Sequence, residues 1–165
     1  MSDPFPPKSL GEVALDVARE HLGKKEATGK NDGPFVAMLQ NWIDGASNWM
    51  DRQPWCAAFA TWCVYIAAKR LGLTPKLPKS ASSTSLYAWA KKTGNVLPGA
   101  QGHYCIGLIK GSGGIPGKTH HHTFIANGLS MTDGQDWVWG IDGNWKNAVS
   151  RTQHKIADCD FIRIV

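Results

Sequence analysis

The chain has 165 residues, of which 42% are hydrophobic and 19% charged, and this length and composition fit one folded domain over residues 1–165 and exclude a disordered chain or a coiled coil. Lys and Arg outnumber Asp and Glu by 18 to 13, and the formal net charge of +5 favours an anionic partner without choosing among nucleic acid, a membrane surface and the bacterial cell wall. Eight Trp accompany only three Tyr and five Phe, and indole rings stack on sugars and bases as well as filling cores.

Three features of the sequence bear on location and redox state. Residues 1–8 lack a basic region followed by an apolar run, so we predict no secretory signal peptide and synthesis in the cytoplasm. The uncharged stretch 54–68 is shorter than the ~18–20 residues that cross a bilayer, so it predicts a buried helix. The four cysteines form no CxxC pair, so neither a disulfide framework nor a structural zinc site is expected. At least one thiol is therefore a candidate for chemistry.

The first half of the chain has the periodicity of helices. Ser9 and Glu12 form a capping box at the first helix, Pro34 and Pro54 stand at first-turn positions of the second and third, and Gly72 ends the third. We predict helices over residues 9–23, 34–43, 54–71 and 83–91.

The second half is rich in glycine and in residues that favour strands. We predict strands over residues 103–110, 122–128, 136–142, 148–152 and 160–165, with turns at Gly111-Ser-Gly-Gly114 and Asp133-Gly134. Helices followed by strands, without alternation between them, indicate an α+β fold with an antiparallel sheet.

Cys56 is a candidate nucleophile because it lies at the start of the third predicted helix. There the helix dipole and the unpaired backbone N–H groups favour the thiolate, which is the reactive form of the side chain. The same N–H groups can stabilise an oxyanion. The alternative is a small core residue, which is what most isolated cysteines are.

A thiolate nucleophile needs a histidine as base and acid, and a His tract at residues 120–122 directly precedes a predicted strand. Strand alternation directs His120 and His122 to one face and His121 to the other. We select His122 because it adjoins the strand. A metal-binding tract is the alternative, but no Cys or carboxylate stands at ligand spacing. The other histidines are assigned to surface or structural positions: His21, His103 and His154.

The ring of His122 also needs an acceptor that orients it. The next predicted strand ends in Asp142-Gly143-Asn144, and an adjacent antiparallel strand can bring Asp142 or Asn144 beside the imidazole. Asp-Gly-Asn is also an ordinary hairpin turn. The interpretation therefore depends on the thiol, the histidine and the Asp or Asn occurring together, in this order and at these element ends.

Four segments of the chain are similar to one family of enzymes. They are Asp51-Arg-Gln-Pro-Trp-Cys-Ala-Ala-Phe-Ala-Thr-Trp-Cys63, His122-Thr-Phe-Ile-Ala126, Ile141-Asp-Gly-Asn144 and, more loosely, residues 18–29. They resemble the CHAP family of cysteine, histidine-dependent amidohydrolases/peptidases and the related NlpC-like enzymes, and the resemblance covers nearly the whole chain. It implies a papain-like α+β fold, with N-terminal helices and the nucleophile at the start of a buried helix that packs on a C-terminal antiparallel sheet.

The resemblance also implies roles for residues. Cys56 becomes the nucleophile, and His122 the general base and then the acid. The third residue of the family is Glu, Asp or Asn, so Asp142 and Asn144 both stay open, and we favour Asp142 because a carboxylate stabilises an imidazolium more strongly than an amide does. Gln53 is the candidate oxyanion donor, by analogy with the glutamine that precedes the cysteine of papain-like enzymes.

The tryptophans divide by position. Trp55 beside the thiol and Trp145 after the Asp-Gly-Asn segment are expected to line a substrate groove, joined by Trp49. Trp42 and Trp62 fall on apolar helix faces and are expected in the core. No position is predicted for Trp89, Trp137 and Trp139.

The implied activity is that of a peptidoglycan hydrolase, an amidase or endopeptidase that cuts an amide bond in or at the stem peptide. Such an enzyme is a phage endolysin or a delivered antibacterial effector, reaches the wall after holin-dependent release or secretion, and is expected to be a monomer. An effector would have an immunity or inhibitor protein as partner. No metal or cofactor is expected, calcium included, since residues 44–51 hold only two carboxylates.

The alternative is a non-catalytic module that binds peptidoglycan or glycan, favoured by the tryptophans and the basic charge. A nucleic-acid binder is not expected, because the sequence has neither a clustered Lys/Arg face nor a recognised motif. Membrane insertion is not expected either.

Overall fold

The structure is a computed structural model that describes residues 6–45, 47–99, 104–127 and 136–165. Its helices come first in the chain and its principal strands afterwards, as the sequence predicts. The helices are α1 (Leu10–Glu20), α2 (Pro34–Asp44), α3 (Cys56–Leu71) and α4 (Ser83–Thr93). The strands are β1 (Val96–Leu97), β2 (Cys105–Lys110), β3 (His120–Ala126), β4 (Trp137–Trp145), β5 (Ala148–Lys155) and β6 (Cys159–Arg163).

Local sequence signals determine the helix ends. At α1 the side chain of Ser9 accepts from the backbone N–H of Glu12, and the Glu12 carboxylate accepts from the N–H of Ser9, so the predicted capping box is present. At the C-terminal end of α3, Gly72 adopts the left-handed conformation (φ 67°) that terminates a helix. The α1 helix ends at Glu20, three residues before the predicted stop.

The α3 helix is enclosed on most sides, in agreement with the absence of charge before its last turn. Ten of its side chains are buried, and it packs against α1, β3 and β4. The helix covers β3 and β4. Its first residue, Cys56, lies close to Thr123 on β3. Among the described helices, none is both long enough and apolar enough to span a membrane.

The six strands form one sheet in the order β1-β6-β2-β3-β4-β5, and all its pairs are antiparallel. The predicted α+β class with an antiparallel sheet is therefore confirmed. One face of the sheet contributes Ile106, Leu108, Ile125 and Ile141 to the main core with the helices. The other face forms a smaller core around Phe124 and Phe161.

Two glycines make room for the Phe124 ring. Gly107 pairs with Phe124 across β2 and β3, and a Cβ atom at Gly107 would lie 2.1 Å from the ring. On the other side of β3, a Cβ at Gly140 would lie 2.5 Å from it. The completely buried ring is thus wedged between two positions that accept no side chain, and it packs on His154 with ring centroids 4.3 Å apart.

Several predicted strand ends differ from those observed. The β5 strand continues three residues beyond the prediction, to Lys155, and the two-residue strand β1 was not predicted. The Asp142-Gly143-Asn144 segment is not a turn, because β4 runs through it to Trp145 with a shift in register, and the chain reverses at residues 146–147. His103 and the Asp133-Gly134 turn lie outside the described residues.

We predict that Gly107→Ala destabilises the protein by about 1–3 kcal/mol, because the new methyl group overlaps the buried Phe124 ring. Thermal unfolding followed by circular dichroism measures the effect. The same substitution in a Phe124→Leu background should cost less, since the ring atoms are gone. Equal costs in the two backgrounds would contradict this account.

Candidate active site

Cys56 begins α3, and Trp55 is the residue that precedes the helix. The first hydrogen bond of the helix runs from the N–H of Phe59 to the carbonyl of Trp55 at 2.8 Å. The N–H groups of residues 56–58 therefore have no partner within the helix. The sulfur is buried beside these donors, in the position that favours a thiolate and an adjacent oxyanion.

His122 and Asp142 lie next to Cys56. The β3–β4 register pairs Phe124 with Asp142, which brings the Asp142 carboxylate within 2.6 Å of Nε2 of His122. The neighbouring His122 side chain lowers the pKa of Cys56, and since Nε2 is engaged by Asp142, Nδ1 is the ring nitrogen left for the sulfur. The structure thus brings three of the sequence-predicted residues together, in the order thiol, imidazole, carboxylate.

This arrangement favours charge separation between the thiol and the imidazole. Burial by itself would raise the pKa of Cys56, but the hydrogen bond and charge of His122 and the backbone N–H groups of Thr123 and Ala57 bring it below the ordinary value of 9.0. Burial by itself would lower the pKa of His122, but Asp142 and Cys56 raise it to about 10. Both shifts favour the thiolate and imidazolium forms over the neutral thiol and imidazole.

Asp142 is completely buried and is satisfied by three side chains. Oδ2 accepts from His122 and, at 2.8 Å, from Nε2 of His154, while Oδ1 accepts from the hydroxyl of Thr152. Burial alone would raise the pKa of this carboxyl, but the hydrogen bonds from the two histidines lower it below its ordinary value of 3.8. The carboxylate therefore stays ionised between two imidazoles.

Thr152 and His154 were missed as site residues. Of the two positions predicted for His154, surface or structural, the surface one is wrong, because the side chain is buried against Asp142 and Phe124. The signal that could have identified both is the alternation of β5, in which Thr152 and His154 are buried and their neighbours Arg151, Gln153 and Lys155 are exposed.

Trp145 packs against both histidines of this cluster. Its ring centroid lies 5.3 Å from that of His122 and 5.2 Å from that of His154, with the rings edge to face. The indole is half-buried, so it shields the imidazoles on one side and keeps part of its surface in solvent beside them. The expectation that Trp145 lines a substrate groove stays a prediction.

Asn144 does not orient His122, which corrects one of the two alternatives left open by the sequence. Asn144 adopts a positive φ of 60° at the register shift of β4, and its side-chain amide donates to Oδ1 of Asn31 at 3.1 Å. Asn31 in turn donates to the carbonyl of Arg52. Asn144 therefore supports the segment that leads to Cys56 and leaves the histidine to Asp142.

Trp55 does not line a groove, which corrects a second expectation. Its ring is completely buried and packs edge to face on Phe35 and Phe59. Its indole N–H donates to Oε1 of Glu26 at 2.9 Å. A buried carboxylate from a loop 29 residues earlier thus holds the residue before the nucleophile, and no local signal in the sequence identifies this pairing.

Gln53 and Trp49 lie on a groove beside the nucleophile. The side chain of Trp49 is 58% exposed, and both residues line a groove of about 460 Å³ together with Lys79 and Lys118. Gln53 is exposed, and its backbone carbonyl accepts from Nε2 of Gln40. The assignment of Gln53 as oxyanion donor stays a prediction.

His120 and His121 of the tract, and His21 at the C-terminal end of α1, have other partners. His120 is buried, with Nε2 2.9 Å from the Asp160 carboxylate and its ring packed on Tyr87. His121 is exposed, with Nδ1 3.3 Å from the carbonyl of Gly111. His21 is a structural residue, bonded through Nδ1 to the carbonyl of Val17. The three histidines of the tract therefore lie in three different environments.

The other cysteines are buried and unlike Cys56. Burial raises the pKa of Cys63 well above 9.0, and raises the pKa values of Cys105 and Cys159 to about 12. Their thiols stay protonated at neutral pH and fill space in the two cores. In the described part of the chain, no three His, Cys, Asp or Glu side chains are grouped to hold a metal ion.

Searches against protein-family models, curated proteins and solved structures found no match to this chain.

We predict that the Cys56 thiol ionises at a pH below its ordinary pKa of 9.0 and that His122 causes this. The ultraviolet absorbance of the thiolate, taken as the difference between the wild type and Cys56→Ser, should persist as the pH falls below 9.0 and vanish as the pH passes through the lowered pKa of Cys56. In His122→Ala, only the backbone N–H groups of Thr123 and Ala57 still oppose the effect of burial, so the transition should move to higher pH than in the wild type. A wild-type transition at or above 9.0 would contradict the ion pair.

Proposed function

We propose that this protein is a cysteine amidohydrolase of papain-like architecture that cleaves an amide bond in or at the stem peptide of peptidoglycan. The observation that carries the proposal is the contact of Cys56 at the start of a buried helix with His122, which Asp142 holds through Nε2. A thiol, an imidazole and a carboxylate in this order are the components of nucleophilic acyl transfer.

The reaction proceeds in two steps. The Cys56 thiolate attacks the amide carbonyl carbon, a C–S bond forms, and the N–H groups at the start of α3 stabilise the oxyanion. The C–N bond then breaks while the His122 imidazolium transfers its proton to the leaving amine. Water attacks the thioester as His122 takes up a proton, the carboxylic acid leaves, and the Cys56 thiolate is restored. The net change is hydrolysis of one amide.

Asp142 acts through His122. Its bond to Nε2 sets the tautomer that leaves Nδ1 for the sulfur, and its charge stabilises the imidazolium that must protonate the amine. Thr152 and His154 prevent the carboxylate from turning away. They are positioning residues, because neither reaches the reacting atoms.

The choice of peptidoglycan as substrate has two supports. The segments around Cys56, His122 and Asp142 resemble those of the CHAP and NlpC-like wall hydrolases. The net charge of +5 also attracts the chain to an anionic envelope. The proposal places the enzyme at the cell wall, as a phage endolysin or a delivered effector.

We predict that the protein releases soluble muropeptides from purified sacculi and that Cys56→Ala reduces the rate by at least about a thousandfold. Mass spectrometry of the products identifies the bond that is cut. Cys63→Ala is the matched control, because Cys63 lies on the same helix and its thiol stays protonated. Undiminished release by Cys56→Ala would overturn the proposal.

A second candidate function is a non-catalytic module that binds glycan. The observation that favours it is a pair of exposed indoles on β4, Trp137 and Trp139, which are 43% and 37% accessible. Lys155 lies 5.6 Å from the Trp137 ring and Arg151 lies 5.0 Å from the Trp139 ring. Flat aromatic surfaces next to cations suit an anionic polysaccharide.

This second function predicts saturable co-sedimentation with sacculi that is unchanged by Cys56→Ala and lost in Trp137→Ala/Trp139→Ala. Trp89→Ala serves as a control for tryptophan removal, since Trp89 packs at the core on α4. Binding without any release of muropeptides would favour the module over the enzyme. Release of muropeptides by Trp137→Ala/Trp139→Ala at the wild-type rate would remove the module.

A further inference from the structure

The groove beside the nucleophile has a distinct chemical character. One wall comes from the segment before α3 and carries an exposed indole, and the opposite wall comes from the start of α4 and is rich in hydroxyl groups. Two ammonium groups stand on it. The side chains used below are Trp49, Gln53, Lys79, Ser82, Ser85 and Lys118.

Both walls of the groove are attached to the segments that carry the candidate catalytic side chains. Gln53 and Pro54 line it and directly precede Trp55 and Cys56. On the α4 side, Oγ of Ser83 lies 2.6 Å from Oγ1 of Thr123, the residue after His122. Pro54 stands two residues before Cys56, so the groove is within reach of a peptide whose reacting amide lies at Cys56.

The charge of the groove has one sign. The ammonium of Lys79 lies 4.8 Å from the Trp42 ring and 5.9 Å from the Tyr65 ring, which limits its freedom. Lys118 comes from the loop between β2 and β3 and is half-buried. Among the described residues that line the groove there is no Asp or Glu. Two lysines without a lining carboxylate make it a positive cleft.

A solvated basic surface would explain lysines scattered over the chain, but three observations favour a binding site. The lysines face one concave groove, one of them is held by two aromatic rings, and a largely exposed indole stands at the same groove. The polar lining of Ser82 and Ser85 supplies further groups for hydrogen bonds to a carboxylate oxygen.

We propose that this groove selects the substrate by binding a free carboxylate of the peptide between Lys79 and Lys118, with Trp49 against the neighbouring apolar part. The identity of the peptide as a peptidoglycan stem rests on the proposed function. Stem peptides carry several carboxylates, and amidation of one of them removes its charge without changing the backbone. The groove should therefore distinguish the free acid from the amide.

The experiment measures binding to Cys56→Ala by calorimetry, so that no hydrolysis is needed. The probes are a synthetic stem tetrapeptide with all its carboxylates free and a series in which each carboxylate is amidated in turn. We expect one amidation to weaken binding by about tenfold, since a charge-assisted hydrogen bond is lost. In Lys79→Gln/Lys118→Gln, the free and amidated peptides should bind equally.

The matched control is Lys69→Gln/Lys92→Gln, which removes the same charge from exposed positions near the C-terminal ends of α3 and α4. It should keep the preference for the free acid. The groove proposal is overturned if no peptide binds, if no amidation changes the affinity, or if the preference survives in Lys79→Gln/Lys118→Gln. If the wild type releases muropeptides but shows no preference for the free acid, the groove proposal fails and the proposed function stands. If the protein prefers the free acid but releases no muropeptides, the proposed function fails and the groove proposal stands.

Discussion

The site depends on one buried negative charge. A carboxylate removed from water is stable only when its oxygens are fully hydrogen-bonded, and Asp142 meets this condition with donors from both neighbouring strands, His122 on β3 and Thr152 and His154 on β5. The position of the charge is therefore a consequence of sheet register. A slip of one residue in β4 would turn Asp142 to the opposite face and separate it from all three donors.

The packing of the sheet protects this register. Phe124 occupies the space above Gly107 and Gly140 on the two adjacent strands and packs on His154. The same ring thus fills the smaller core and supports one of the donors to Asp142. On the other face, α3 covers β3 and β4 and carries Cys56 to the end of the sheet where His122 lies. The helix and the strands meet at the thiol and imidazole.

The electrostatics of the pair follow from competition between burial and contact. Burial disfavours both charges, yet the thiolate and the imidazolium stabilise one another and Asp142 stabilises the imidazolium. The three other cysteines experience burial without such a partner, and the pKa of each is raised. The neighbours of Cys56 thus distinguish its thiol from the other three, which are also buried. Under the proposed function, selection of the substrate falls to the positive groove and not to the reacting groups.

Local sequence signals were enough to predict the helices and the fold class of this protein. The capping box at Ser9, the glycine after α3 and the helical periodicity located the helices, and the order of elements indicated an antiparallel α+β fold, because these features depend on residues close together in the chain. The position of Cys56 at a helix start follows from the same kind of signal. Contacts between distant residues needed the tertiary structure: Asp142 rather than Asn144 at His122, Trp55 buried on Glu26, and His154 inside the site. Each of these depends on strand register or on a buried polar group finding its partner across the fold. Alternation along β5 can indicate which of its residues are buried, but it does not specify which partners they meet.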